Sequence, residues 1–478
     1  MSRSARRIKS TVTSAPTVAD THAPATPGDR WPNALAFILA ASGAAIGFNN
    51  IWQFPELAAQ YGGGAFVLVY IAFVALFGVP LLIAEMLLGR TARAAPIPAL
   101  RMLSPNRRRA GYWSIAGWVA VAACFVVFSY LSVIAGWMLA YVVRAAAGVF
   151  AGQTADGMAS LFTALVRDPE KQLFWHLGFV GVCTLVVARG LRRGLEPVTR
   201  VAALLMFVVL LVLLGYAMSL DTFGSAVLHF LEPDFAKLSF MGLAVAAGQV
   251  FFSLGLGFGM MLAYGAYLRE DVSIPRAALT VAGLDTLTAV IAACVVFAVL
   301  FAGSVEPASG PGLVFQALPL AFDHLPYGRW FTILFFLLLS LIALLRALAL
   351  LETVTRWFAE RFQMDRVRAA AAVAAAAWVL GLVSVLSFNY WAFPFSVFGI
   401  EKKLGVFDIL QMLTTQVLLP VGALLLALFT GWALRTETTR EALALRSPCA
   451  YDAWIWSLRL LVPLVMLLLL VYLPKLYP

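Results

Sequence analysis

Two apolar segments of this chain carry polar breaks, and the residues at those breaks could bind ions or small polar solutes. Residues Trp31 to Pro55 read as a membrane span, yet Gly43, Gly47, Asn49 and Asn50 fall near its middle. Glycine and asparagine weaken a helix, and an amide at that depth has no water to satisfy it. Loosened backbone is tolerated in lipid only where it lines a protein cavity, so the break marks a binding site near the membrane midplane. In the second segment Gln249 and Ser253 precede Gly255, Gly257 and Gly259. Asp285 and Arg346 lie in other apolar stretches, where ionisable side chains are costly and mostly functional. Together these groups make no nucleophile–base pair or metal constellation, so an enzyme is not expected.

The elements that must position them are membrane spans. The chain is 62% hydrophobic and 12% charged, about half the charge fraction of a soluble domain, and its mean hydropathy is +0.90. A span needs about 20 apolar residues. Eleven stretches qualify: near 33–57, 64–89, 112–147, 173–189, 198–219, 238–267, 277–303, 328–359, 369–388, 406–434 and 452–475. The sequence therefore predicts an all-α polytopic membrane protein embedded in a lipid bilayer. The net charge of +10 does not indicate nucleic acid, because its cations cluster in loops of one parity. Arg3, Arg6, Arg7 and Lys9 precede span one, Arg101 and Arg107 to Arg109 follow span two, and Arg192 and Arg193 follow span four. By the positive-inside rule the N-terminus is cytoplasmic, in the inner membrane, and an odd span count puts Lys475 to Pro478 outside. Residues 1–30, rich in Ser, Thr, Ala and Pro, read as a flexible cytoplasmic tail. Cys124, Cys183 and Cys294 fall in spans and Cys449 in an inner loop, which suggests no disulfide framework. His22, His176, His229 and His324 are scattered without metal-ligand spacing.

Five spans separate the two breaks. That spacing predicts a five-plus-five repeat of opposite orientation: repeat one over about 31–220, repeat two over about 238–435, and an extra span at 452–475. Interrupted spans at matching positions of two halves point to a transporter site.

The residues that carry the breaks also carry a resemblance. Trp31, Gly43, Gly47, Asn50-Ile51-Trp52, Phe54-Pro55, Tyr61 to Phe66, Gly78 to Pro80, Glu85 and Gly89-Arg90 resemble the neurotransmitter:sodium symporter family. Gln249 to Ser253, Gly257 to Gly259 and Tyr264 resemble its span six, and Leu418 to Pro420 with Gly431-Trp432 resemble its span ten. The resemblance implies alternating access, a small-molecule substrate and a cation as driving ion.

By that resemblance, the first sodium site is formed by the Ala45 carbonyl, Asn50, Ser253 and Asp285. Oxygen-only ligation suits a hard monovalent cation, and no other cofactor is implied. Chloride-dependent relatives carry a Ser where this chain has Ala289; an acidic Asp285 replaces that negative charge, so chloride independence is expected. The second site departs from the family. It would use carbonyls of Gly43 and Ile46 and two hydroxyls of span eight, but those positions hold Leu345 and Arg346. Leu cannot ligate sodium, and Arg346 places a permanent cation there, a built-in surrogate for the second ion. Asp285 could pair with Arg346 across the core, which leaves proton coupling or sodium-independent exchange as the alternative.

The resemblance bounds the substrate pocket by Ala44, Gly47, Phe48 and Asn49 of span one and Val127 and Leu131 of span three. Phe252, Gly255 and Phe258 of span six and Ala347 and Leu350 of span eight complete it. Gly47 matches the amino-acid branch, where the amine branch has Asp, so a small zwitterion or carboxylate with an apolar body is expected. The family's substrate-contacting Tyr is Leu131 here, with Tyr130 its neighbour. The outer gate's ion pair becomes Gln53 and Gln411. At the inner gate Glu360 matches the acidic latch, its usual Arg partner is Gly28, and Arg30 is the available substitute. A monomer or homodimer is expected. A non-transporting sensor or scaffold of the same fold is the reading from another class.

Overall fold

The computed structural model describes residues 30–106, 108–306, 310–388, 391–397, 400–445 and 447–476. The tail before residue 30, Gly28, Arg107 and Arg446 lie outside the described residues. Nine described helices are long and apolar enough to cross a membrane unbroken. They are Gly64–Ala92, Ala110–Ala146, Pro169–Ala188 and Leu191–Met218 (spans two to five), Ile274–Gly303, Gly328–Phe362, Arg366–Ser387 and Val406–Ala433 (spans seven to ten), and Pro448–Tyr472 (span eleven). Each overlaps a stretch expected from hydropathy.

The other two spans are broken where the glycines stand. Span one is Ala34–Ala45 followed by Phe48–Gln60, bent by 69°. It starts cleanly because the Asn33 side chain accepts the Ala36 N–H at 2.8 Å, a helix N-cap. It stops because Ile46 leaves helical geometry with ψ 116° and Gly47 is extended. Span six is Phe240–Leu254 followed by Met260–Gly265. Between them Gly255, Gly257 and Gly259 all take positive φ (63°, 85° and 68°), which only glycine adopts without strain. At Gly257 close approach adds to conformation: a Cβ there would stand 2.6 Å from the Leu419 carbonyl oxygen of span ten.

Packing follows from the same break. Span two supports both halves of span six, and the first half of span one lies against spans five, seven and eight. Span three runs along span eight, so the broken pair is enclosed by long continuous helices. Large apolar residues on the outer faces, such as Leu204, Val208 and Leu211 on span five and Leu460, Leu464 and Leu467 on span eleven, are exposed and form a lipid-compatible belt. Between spans nine and ten an antiparallel hairpin pairs Ala392–Val397 with Ile400–Gly405; hydropathy had given no sign of it.

Candidate functional site

The two breaks face each other, and a closed cluster of oxygen-bearing side chains joins them. Asn50, just past the span-one break, donates from Nδ2 to Asp285 Oδ1 at 2.8 Å. Ser253, just before the span-six break, places its hydroxyl 2.8 Å from Asn50 Oδ1 and 2.5 Å from Asp285 Oδ2, one proton serving both oxygens. Tyr70 of span two adds its hydroxyl to Asp285 Oδ2 at 3.2 Å. All four residues are fully buried. Among the described residues no basic side chain comes within 4.0 Å of the Asp285 carboxylate. One carboxylate with amide and hydroxyl oxygens in a buried cage fits a small hard cation, whose charge would answer that of Asp285. Tyr70 went unnoticed in the sequence because one aromatic residue in an apolar run reads as packing.

Arg346 and Leu345 divide the tasks that the sequence gave to one place. The Leu345 side chain lies beside Gly43, where a Cβ would meet Cδ1 at 2.8 Å, so hydrocarbon and not a hydroxyl faces that turn of span one. The Arg346 guanidinium does not go to Gly43 or Ile46. Its Nη1 donates to the Ala45 carbonyl at 3.2 Å and its Nη2 to the Phe252 carbonyl at 2.8 Å. One cation thus bridges both broken helices. The Phe258 ring lies 5.6 Å from its Cζ. Arg346 is only 6% exposed and makes no ion pair within 4.0 Å with any described carboxylate; Asp285 and Arg346 act on each other only through space, from farther away. The Ala45 carbonyl, expected to ligate sodium, is engaged by the guanidinium.

Four of the expected pocket residues, Gly47, Phe252, Gly255 and Phe258, border that guanidinium. Gly47 lies so close that a methyl there would overlap Arg346 Nη1 and Asn49 Oδ1, and Gly255 borders Nη2. Phe48, Asn49 and Phe252 are half-buried, while Ala44, Val127, Leu131, Phe258, Ala347 and Leu350 are buried. Phe48 packs on Trp52 with ring centroids 4.6 Å apart, a wall the sequence reading left out. Tyr130 turns to span ten and shares a hydrogen bond with Thr414 at 3.2 Å. Glu85 holds the site from behind: its carboxylate accepts the Gly257 N–H at 2.7 Å and fixes the loose backbone of span six.

The gates are assembled differently from the expectation. Arg30 does not latch onto Glu360. It pairs with Glu270 at 3.5 Å, which Arg93 also approaches at 3.6 Å. Glu360 takes Arg356, one helical turn away, at 2.9 Å. At this end Trp31 ties span one to span six, its indole N–H donating to the Tyr264 carbonyl at 3.1 Å. Tyr267 donates to Glu352 at 2.7 Å, and Arg366 completes that buried pair. Gln53 opens the helix Gln53–Gln60 and Gln411 lies in the helix Val406–Met412.

Comparison with known proteins agrees over nearly the full length. The sodium:neurotransmitter symporter family profile matches residues 28–156 and 170–475. The uncharacterized sodium-dependent transporter YhdH of Bacillus subtilis is 31% identical over 444 residues, which span 92% of this chain and 96% of that protein. The uncharacterized sodium-dependent transporter MJ1319 of Methanocaldococcus jannaschii is 30% identical over 89% of this chain and 86% of its own length. The crystal structure of MhsT in complex with L-phenylalanine superposes with a TM-score of 0.83 at 35% identity, covering 93% of this chain and 99% of that one. With the two broken spans and the oxygen cluster between them, these matches show that the chain belongs to the sodium:neurotransmitter symporter family, a family of multi-pass membrane transporters and not of enzymes.

Proposed function

We propose that this protein carries a small carboxylate with an apolar body across the cell inner membrane, driven by one sodium ion and without chloride. Its N-terminus is cytoplasmic in this reading, and the repeats at about 31–220 and 238–435 supply the two access states. The observation that carries the reading is the Asn50–Ser253–Asp285 cluster, which joins the two breaks through oxygens and holds one negative charge. Sodium entering there replaces the hydrogen bonds among those side chains and locks the broken helices together. Leu345 over Gly43 supports a single ion, and Asp285 supports chloride independence.

One observation favours a second reading. Arg346 already holds the Ala45 carbonyl that sodium would use, as a fixed cation would in a proton-coupled or sodium-independent exchanger. Uptake into proteoliposomes separates the two. The leading reading expects transport that stops when choline replaces sodium and continues when gluconate replaces chloride. Transport that persists in choline sinks it.

A further inference from the structure

We infer that Arg346 is the substrate anchor and that the substrate is a monocarboxylate lacking an α-ammonium group, an aryl- or alkyl-substituted acid rather than an amino acid. This rests on the proposed carboxylate transport and narrows its substrate class.

Helix breaks expose carbonyl oxygens, and carbonyls are the acceptors an ammonium group needs. Here the Ala45 and Phe252 carbonyls, one from each break, are both taken by the same guanidinium. A substrate ammonium would compete for those oxygens and stand beside a permanent positive charge in a water-poor site. A carboxylate meets the opposite situation. A guanidinium has five N–H donors, and the two bonds to carbonyls leave the others available. Arg346 is nine-tenths buried with no described carboxylate within 4.0 Å, Asp285 acting on it only from farther away, an arrangement that leaves its free donors for an anion. The Asn49 amide sits at the same turn: its Oδ1 and Arg346 Nη1 both crowd Gly47, and its Nδ2 is a buried donor without a described partner. Each buried charge then gains one partner: sodium faces Asp285 and the carboxylate faces Arg346. A zwitterion would leave its ammonium uncompensated. The apolar body of the acid has Phe48, Trp52, Phe252 and Phe258 to lie against.

The test is ligand-induced thermal stabilisation of the purified full-length protein, in sodium and in choline, with matched probes. The pairs are 3-phenylpropanoate against L-phenylalanine and 4-methylpentanoate against L-leucine, with 2-phenylethylamine as the amine alone. We expect a deaminated acid to bind on the order of 100-fold more tightly than its amino acid, and the amine to give no shift. Arg346→Gln should erase that preference and Arg346→Lys should keep part of it. The native-protein comparison needs neither variant to fold. An amino acid that binds as tightly as its deaminated partner overturns the inference and leaves the sodium reading standing. Acids preferred equally in choline support the anchor and remove the sodium reading. Silence of every probe in both salts overturns the two together.

Discussion

Replacing Asp285 with Asn removes the one negative charge in the oxygen cluster while keeping its shape. Asp285 accepts from Asn50 at 2.8 Å, from Tyr70 at 3.2 Å and from Ser253 at 2.5 Å. An asparagine can keep its carbonyl towards the Asn50 amide. Its NH2 then faces two hydroxyls, which can rotate to accept, so no buried polar atom is stranded. The cost to folding is the loss of charge assistance in these bonds, about 1–3 kcal/mol. The effect on a bound cation is larger. A carboxylate and a monovalent cation about 4 Å apart attract by about 4 kcal/mol at an effective dielectric constant near 20. The amide oxygen returns part of this, which leaves about 2–3 kcal/mol, or a roughly 30- to 160-fold higher half-saturating sodium concentration. Sodium-dependent thermal stabilisation, with choline holding ionic strength constant, reads that concentration directly. An unchanged half-saturation in Asp285→Asn would refute Asp285 as an ion ligand. If the variant instead keeps its sodium response and loses a pH dependence of transport, Asp285 carries a proton.

Three further outcomes follow from the geometry. Glu352→Gln removes the charge of a buried carboxylate that pairs with the partly exposed Arg366 and weakens the bond from Tyr267, and should destabilise the protein by about 2 kcal/mol in thermal unfolding, whereas Tyr267→Phe should cost about 1 kcal/mol. Gly257→Ala combines a φ of 85° with a 2.6 Å approach to the Leu419 carbonyl oxygen; it should cost about 2–3 kcal/mol, and full stability would show that span six can close without its break. The double change Leu345→Thr with Arg346→Ser places two hydroxyls at the second ion position, and substrate-free sodium stabilisation should become two-site; a single-site response would show that hydroxyls at these positions do not suffice.

The breaks were legible in the sequence because their cause is local. Three glycines within five residues cannot continue a helix, and Gly47 with two asparagines ends another. Asp285 and Arg346 were legible because charge in an apolar run stands out. Their partners were not. Arg346 reaches Phe252 across 94 positions, a choice made by packing and side-chain rotamer rather than by spacing. Tyr70 was hidden among apolar neighbours, although its hydroxyl joins the oxygen cluster. The proposed latch between Arg30 and Glu360 did not form because Arg356, four residues before Glu360 on the same helix, is a nearer cation. The hairpin at Ala392–Gly405 carried no hydropathy signal because it lies in a connection between spans.

The Leu345 methyls over Gly43 bear on how steep a gradient the protein could sustain. A symporter's ceiling on accumulation is the sodium concentration ratio raised to the number of ions moved per cycle. Under the proposed reading that number is one, and a monocarboxylate travelling with one sodium moves no net charge, so the membrane voltage adds nothing. A tenfold sodium ratio then supports roughly tenfold accumulation, where a second ion would allow about a hundredfold from that ratio alone. Fewer ions also leave less driving force to overcome when internal substrate is high. A leucine in place of a hydroxyl would suit uptake from a plentiful supply, or export when the gradient reverses, more than scavenging at low concentration.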